Sequence, residues 1–210
     1  MKKSLALSFF LLLGFVFMSC QTTGGTTSGR IVYEPGEIVN GKDGKPVLYK
    51  NKSIDIAIDI SSDAIVIPQD TLSMMETDGR KVDFMMSHAD LTGKTVMVSV
   101  ENMGDEYAYL DDEEFTSTLL ENPIFVGLYT EQMKKSLEDR GYTVSDVVLE
   151  ELKFMGKDVY GLHLSAGISI IPIEYVVVFT KHGQYLRNVT VGATSYKYCL
   201  EQIAAIRHYK

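Results

Sequence analysis

Glu174 to Gly192 reads EYVVVFTKHGQYLRNVTVG, and this stretch decides the fold class. Tyr175 to Phe179 is apolar at every position, so both of its faces need cover, as in a strand inside a sheet. Lys181-His182-Gly183-Gln184 is a polar break that reads as a tight hairpin turn. A second extended run, Tyr185 to Val191, follows at once. Two strands joined so closely must run antiparallel.

Working upstream, Val147 to Leu149, Val159 to Leu164 and Ile171 to Thr180 read as further strands. Before them lies a helical pattern opened by Asn122-Pro123, a capping residue and a residue suited to the first helical position. Phe125, Tyr129, Met133 and Leu137 are four apart and form its inner stripe, with Leu128 beside them, and Gly141 ends it. Asp111-Asp112-Glu113-Glu114 opens a shorter helix with Phe115 and Leu119 on one face. Ile54, Ile56, Ile58 and Ile60 alternate with polar or small residues, the period of a half-buried strand. Val82, Phe84, Met86 and then Val96, Val98, Val100 give two more, with a turn at Leu91 to Lys94. Ile38-Val39 and Val47-Leu48-Tyr49 flank the turn-forming NGKDGKP of residues 40–46. Downstream of the hairpin, Thr194 or Ser195 caps a final helix with Cys199, Ile203 and Ile206 inward.

Strands, a helix pair, four strands and a closing helix give an α+β fold, a largely antiparallel sheet flanked by helices. The segment from Ser53 to Lys210 resembles the PsbP-like family. The resemblance lies in the first strand SIDIAIDI, the helix NPIFVGLYTEQMKKSLEDRG, the hairpin above and the closing helix. It implies an antiparallel sandwich used for binding and assembly, and transfers no site residue. A cystatin-like open sheet is the alternative.

The N-terminal residues carry an address. Met1-Lys2-Lys3 precedes LALSFFLLLGFVFM, residues 5–18, an apolar run of 14 residues. A helical membrane span needs ~20, so an export signal over residues 1–19 is the better reading. Val16-Phe17-Met18-Ser19-Cys20 resembles the lipobox of bacterial lipoproteins, which implies lipidation of Cys20. Ordinary cleavage wants a small residue where Phe17 stands. Residues 20–29 then form a flexible tether, with Gln21 to Gly29 reading QTTGGTTSG and reaching ~15–18 Å. Residues 30–210 form a single domain.

Removing residues 1–19 takes basic residues from 20 to 18 against 28 acidic, and the formal charge from −8 to −10. Such a surface repels nucleic acid and anionic lipid, so attachment to the membrane falls to the acyl chains on Cys20. Only Cys20 and Cys199 are present, so no disulfide framework exists once Cys20 is acylated. The expected place is the cell envelope, outside the cytoplasm. An envelope protein is a possible partner.

The chemical motifs are thin. Gly93-Lys94-Thr95 lacks the glycine a phosphate loop needs, having His88 there instead. His88, His163, His182 and His208 show no metal-pair spacing, and His182 reads as a turn residue. His163 and Ser165 share a strand face without an acid or a nucleophile elbow. Asp111 to Glu114 has the spacing of a capping pair rather than a calcium loop. Cys199 reads as a buried, inert thiol. The expected function is therefore a lipid-anchored, non-catalytic binding or accessory module with no cofactor and no metal. One alternative is a carrier of a small apolar ligand, lined by Met74, Met75, Met85 and Met86. Another is a hydrolase drawing on His163, Ser165 or the Asp111–Glu114 run.

Overall fold

The computed structural model describes residues 33–76, 80–89, 92–104, 111–139, 141–145, 147–168 and 171–210. The segments expected to be signal and tether, Cys20 included, lie outside the described residues. The fold is α+β with antiparallel sheets throughout. β1 (Glu37–Asn40), β2 (Pro46–Asn51) and β3 (Ile56–Asp59) form a three-stranded sheet, the first two joined by the 40–46 turn. β4 (Ala64–Val66), β5 (Arg80–His88), β6 (Thr95–Asn102), β7 (Thr143–Val144), β8 (Val148–Phe154), β9 (Lys157–Ile168), β10 (Ile171–His182) and β11 (Tyr185–Ala193) form the large sheet. Its order is β4-β5-β6-β11-β10-β9-β7, and β8 also pairs with β9. The helices are α1 (Gln69–Ser73), α2 (Asp112–Glu121), α3 (Pro123–Glu138) and α4 (Tyr196–Ala205).

Tyr175 to Phe179 lies in β10, between β9 and β11, and each of its residues is at most 4% exposed. Its alternate side chains feed two cores. Val176 and Val178 pack with Ile54, Ile56, Ile58 and Ile60, with Cys199 and Ile203 of α4, and with Ile206 that follows it. Tyr175, Val177 and Phe179 pack with Tyr129, Met133 and Leu137 of α3. Burying both faces explains why the run carries no polar residue.

Four sequence expectations change. The isoleucine strand is shorter than eight residues, because Lys52 to Asp55 form a turn and β3 starts at Ile56. Val82 does not share a face with Phe84 and Met86. The register shifts between Val82 and Phe84, and the extra residue, Asp83, turns Val82 into the opposite core. Leu128 is 56% exposed, since it lies off the Tyr129–Met133–Leu137 row that faces the sheet. His182 ends β10 instead of sitting in the turn, which contains only Gly183 and Gln184. Gly183 takes φ +58, a conformation open to glycine. The side chains of Leu119 and Phe125 lie outside the described residues.

Caps follow the sequence reading. Glu114 N–H donates to Asp111 Oδ1 at 3.0 Å, and Ile124 N–H to Asn122 Oδ1 at 3.0 Å. Ser195 Oγ accepts from Tyr198 N–H at 3.4 Å. Gly141, at φ +83, donates to the Glu138 carbonyl at 2.8 Å. Among the described residues no helix is long and apolar enough to cross a membrane.

The large sheet forks at one end. Pairing of β9 with β10 stops at Gly161–Val178, yet both strands continue. Lys157 to Tyr160 stay with β8, while Phe179 to His182 stay with β11. Gly161 stands at the branch point because a Cβ there would lie 2.6 Å from Leu152 Cδ2 and 3.2 Å from the Val177 carbonyl.

Candidate functional site

The fork holds a cleft of about 980 Å³. β9 contributes Val159 and Tyr160, β10 contributes Thr180, Lys181 and His182, and β11 contributes Arg187. Phe154 and Met155 come from the β8–β9 turn, Asp55 from the turn before β3, His208 from the C-terminal segment, and Asp111, Asp112 and Glu114 from the start of α2. Both described non-glycine residues with positive φ, Asp55 (+49) and Met155 (+52), line this cleft. Backbone held in such conformations concentrates at functional sites. Met155 and Gly156 form the two-residue turn of the β8–β9 hairpin, whose geometry needs positive φ.

Two buried cations lie in the lining. Lys181 Nζ donates to Asp112 Oδ1 at 2.7 Å, and its side chain is wholly buried. Arg187 is 8% exposed and makes a different set of contacts. Its Nε–H donates to Thr180 Oγ1 at 2.5 Å, and its Nη1 to the carbonyls of Ile54 at 2.6 Å and Asp55 at 3.3 Å. The guanidinium lies 5.7 Å over the Phe154 ring. Asp55 and Asp112 favour its charge from a distance, and burial pulls its pKa down to about 10. His182 Nδ1 is 3.8 Å from Asp112 Oδ2. Burial first, and then the charge of Arg187, hold its imidazole below the usual histidine range. His208 Nδ1 meets Asp55 Oδ2 at 2.6 Å, which ties the C-terminal segment to the rim.

The sequence expectations for site residues divide. Asp111, Asp112 and Glu114 do reach a cleft, while capping α2 and holding Lys181. His163 is elsewhere, on the sheet beside α4. Its Nδ1 faces Glu150 Oε1 at 3.2 Å and its Nε2 faces Glu174 Oε2 at 2.9 Å. Tyr196 stacks on the imidazole at 4.0 Å and donates to Glu150. Both ring nitrogens are turned to carboxylates and neither meets Ser165, so the His163–Ser165 pairing does not form. Cys199 is buried and its Sγ–H donates to the Glu174 carbonyl at 3.4 Å. Burial pushes its thiol up to about 12. The four methionines do not line one surface, although Met75 packs against the core that holds Met85. Met85 and Met86 enter opposite cores, and Met74 is 85% exposed. Among the described residues no group of histidine, cysteine or acidic side chains is arranged to hold a metal.

Sequence reasoning missed Arg187, Lys181, Asp55 and His208. Arg187 did leave a signal. It shares the apolar face of β11 with Tyr185, Val189 and Val191. A cation on a buried strand face needs a reason. A Ser–His–Asp order was also missed. Ser61 Oγ lies 3.2 Å from His88 Nε2, and His88 Nδ1 lies 3.1 Å from Asp63 Oδ2. Asp63, however, is 68% exposed, where water competes for the imidazole.

No protein-family model and no curated protein matches the sequence. Among solved structures the chain is similar to a protein of Bacteroides thetaiotaomicron determined at 1.50 Å resolution, with 12% identity and a TM-score of 0.35. The match covers 74% of this chain and 45% of that one, so this chain spans less than half of that protein's length.

Proposed function

We propose that this chain is a lipoprotein of the cell envelope, anchored by acyl chains on Cys20, whose domain is a non-catalytic module that binds a small polar ligand in the forked-sheet cleft. The cleft carries the reading. Its volume of about 980 Å³ suits a small organic ligand, and buried polar groups converge on it. The lining holds charged side chains without an activated nucleophile, which favours binding over turnover. The same charge weighs against the carrier of an apolar ligand. The lipobox and the polar tether support the anchor, and the PsbP-like sandwich is the fold-level part of the proposal.

Two measurements test it. Cells fed a clickable fatty acid should label the wild type and not Cys20→Ser; equal labelling refutes the anchor. Native mass spectrometry of the protein released from membranes in mild detergent should show a small-molecule adduct. Its repeated absence, with no thermal shift across a metabolite library, refutes the binding module.

A second reading, a serine hydrolase, has one observation behind it, the Ser61–His88–Asp63 order. In that reading His88 takes the Ser61 proton as Ser61 attacks an ester carbonyl, and water later releases the acyl group. A fluorophosphonate probe decides between the two. Labelling of the wild type that is lost in both Ser61→Ala and His88→Gln establishes the hydrolase; no labelling removes it.

A further inference from the structure

We infer that the cleft takes a small zwitterion, an amino carboxylate whose carboxylate docks on Arg187 and whose cationic nitrogen faces the acidic rim. This deepens the binding reading and rests on it. The starting point is the accounting of the guanidinium. Arginine carries five N–H donors and stays charged in proteins. Arg187 spends its Nε and Nη1 on Thr180 and the carbonyls of Ile54 and Asp55. Among the described residues its Nη2 makes no hydrogen bond, and no carboxylate forms an ion pair with it. A cation 8% exposed, with no countercharge in contact among the described residues, is an unfavourable arrangement. An anion in the cleft relieves it.

The surroundings then select the anion. Among the ionisable lining groups, five are carboxylates, against the three permanent cations Lys157, Lys181 and Arg187. Lys181 is already engaged by Asp112 at 2.7 Å. A dianionic phosphate entering this lining, where carboxylates outnumber permanent cations, meets more repulsion than a singly charged carboxylate does. A carboxylate brings one charge in a planar form that matches a guanidinium edge. The acidic rim also attracts a cation, so a ligand carrying both charges satisfies both parts of the lining. Arg187 is buried on β11, whereas Asp111 and Glu114, at the start of α2, are exposed. The ligand's carboxylate therefore enters first.

The experiment is isothermal titration calorimetry on the full-length protein in detergent. The probes are the common protein amino acids, dialanine, inorganic phosphate, and for each amino acid that binds, its amide and its deaminated acid. The expected result is binding of at least one amino carboxylate, weakened at least tenfold in its amide and in its deaminated acid, with no phosphate binding. Arg187→Gln should weaken it at least tenfold, and Arg187→Lys partially restore it. The ligand-side deletions decide the matter if either variant fails to fold. Tighter binding of phosphate, or binding unchanged in the amide, overturns the zwitterion while leaving the binding module standing. Where no probe binds, the adduct carried from the membrane decides. One with both a carboxylate and a cationic nitrogen supports the inference, and one lacking either overturns it. No adduct and no binding overturn both readings together.

Discussion

Asp83 to alanine is the most informative stability test. Asp83 is the bulged residue of β5, 7% exposed, and it gathers donors from the chain entering the small sheet. Tyr49 O–H donates to Oδ2, as do Asn51 Nδ2 at 2.9 Å and Gly36 N–H at 3.0 Å. Tyr49 and Asn51 are each 1% exposed, so alanine strands the Tyr49 hydroxyl and one Asn51 N–H where water does not reach, the other staying with Tyr33 Oη at 3.2 Å. A buried donor left unsatisfied costs ~1–3 kcal/mol, giving ~2–6 kcal/mol for the pair. Relief of the carboxylate's own desolvation offsets part of this, and a net loss of ~3 kcal/mol is expected. For a domain of this size that lowers Tm by ~6–12 °C. The assay is urea unfolding followed by circular dichroism, run as a double-mutant cycle with Tyr49→Phe. The phenyl ring keeps its stack on Phe84, whose centroid lies 4.3 Å away, while the stranded hydroxyl disappears. The double variant should then be ~1–2 kcal/mol more stable than the two single losses added together. Strict additivity, or a loss below ~1 kcal/mol for Asp83→Ala, refutes the hub.

Three further outcomes follow from packing and burial. Cys199 should resist iodoacetamide at pH 8 in the native protein and react once unfolded, because burial pushes its thiol from 9.0 to about 12. The native thiol binds its proton more tightly than the unfolded one, so its share of stability holds below pH about 9 and is lost as pH rises toward about 12. Gly161→Ala should lose ~1–3 kcal/mol in thermal unfolding, because Leu152 Cδ2 and the Val177 carbonyl stand 2.6 and 3.2 Å from the new Cβ. Met133→Ala should cost ~2–5 kcal/mol, whereas Leu128→Ala should stay within ~0.5 kcal/mol, since the two are 3% and 56% exposed.

The hairpin was legible because burial on both faces leaves a composition signature that needs no partner to be read. The Asp83 bulge was not. Val82, Phe84 and Met86 keep a regular period of two, and the register shift between them depends on Tyr49 and Asn51, more than thirty residues earlier. Leu128 was misplaced for a local reason. Tyr129, Met133 and Leu137 continue one four-residue row, and a residue one step before that row points away by about 100°. The fork was invisible as well. Strand runs show where β9 and β10 lie, but only the pairing shows that they part at Gly161. Of the site itself, the acidic start of α2 was visible and its meaning was half read. Its residues cap the helix as expected, and Asp112 also holds a buried lysine from a strand that follows many residues later.

The buried cations separate structural charge from charge kept for another purpose. Among the described residues, Arg80, Lys181 and Arg187 are buried. Lys181 has Asp112 in direct contact, and Arg80 stands across the strand pair from Glu101, whose charge supports its own. Of these two, Lys181 is balanced by direct contact within the fold. Arg187 is held in contact by Thr180 and two carbonyls, neutral groups that orient it, while Asp55 and Asp112 support its charge only from a distance. A leucine or valine at that place would continue the apolar face of β11 and avoid the desolvation altogether. Where local rules are broken without compensation inside the fold, the compensation comes from outside it. On the proposed binding role, Arg187 is therefore the residue on which the ligand's anion would dock.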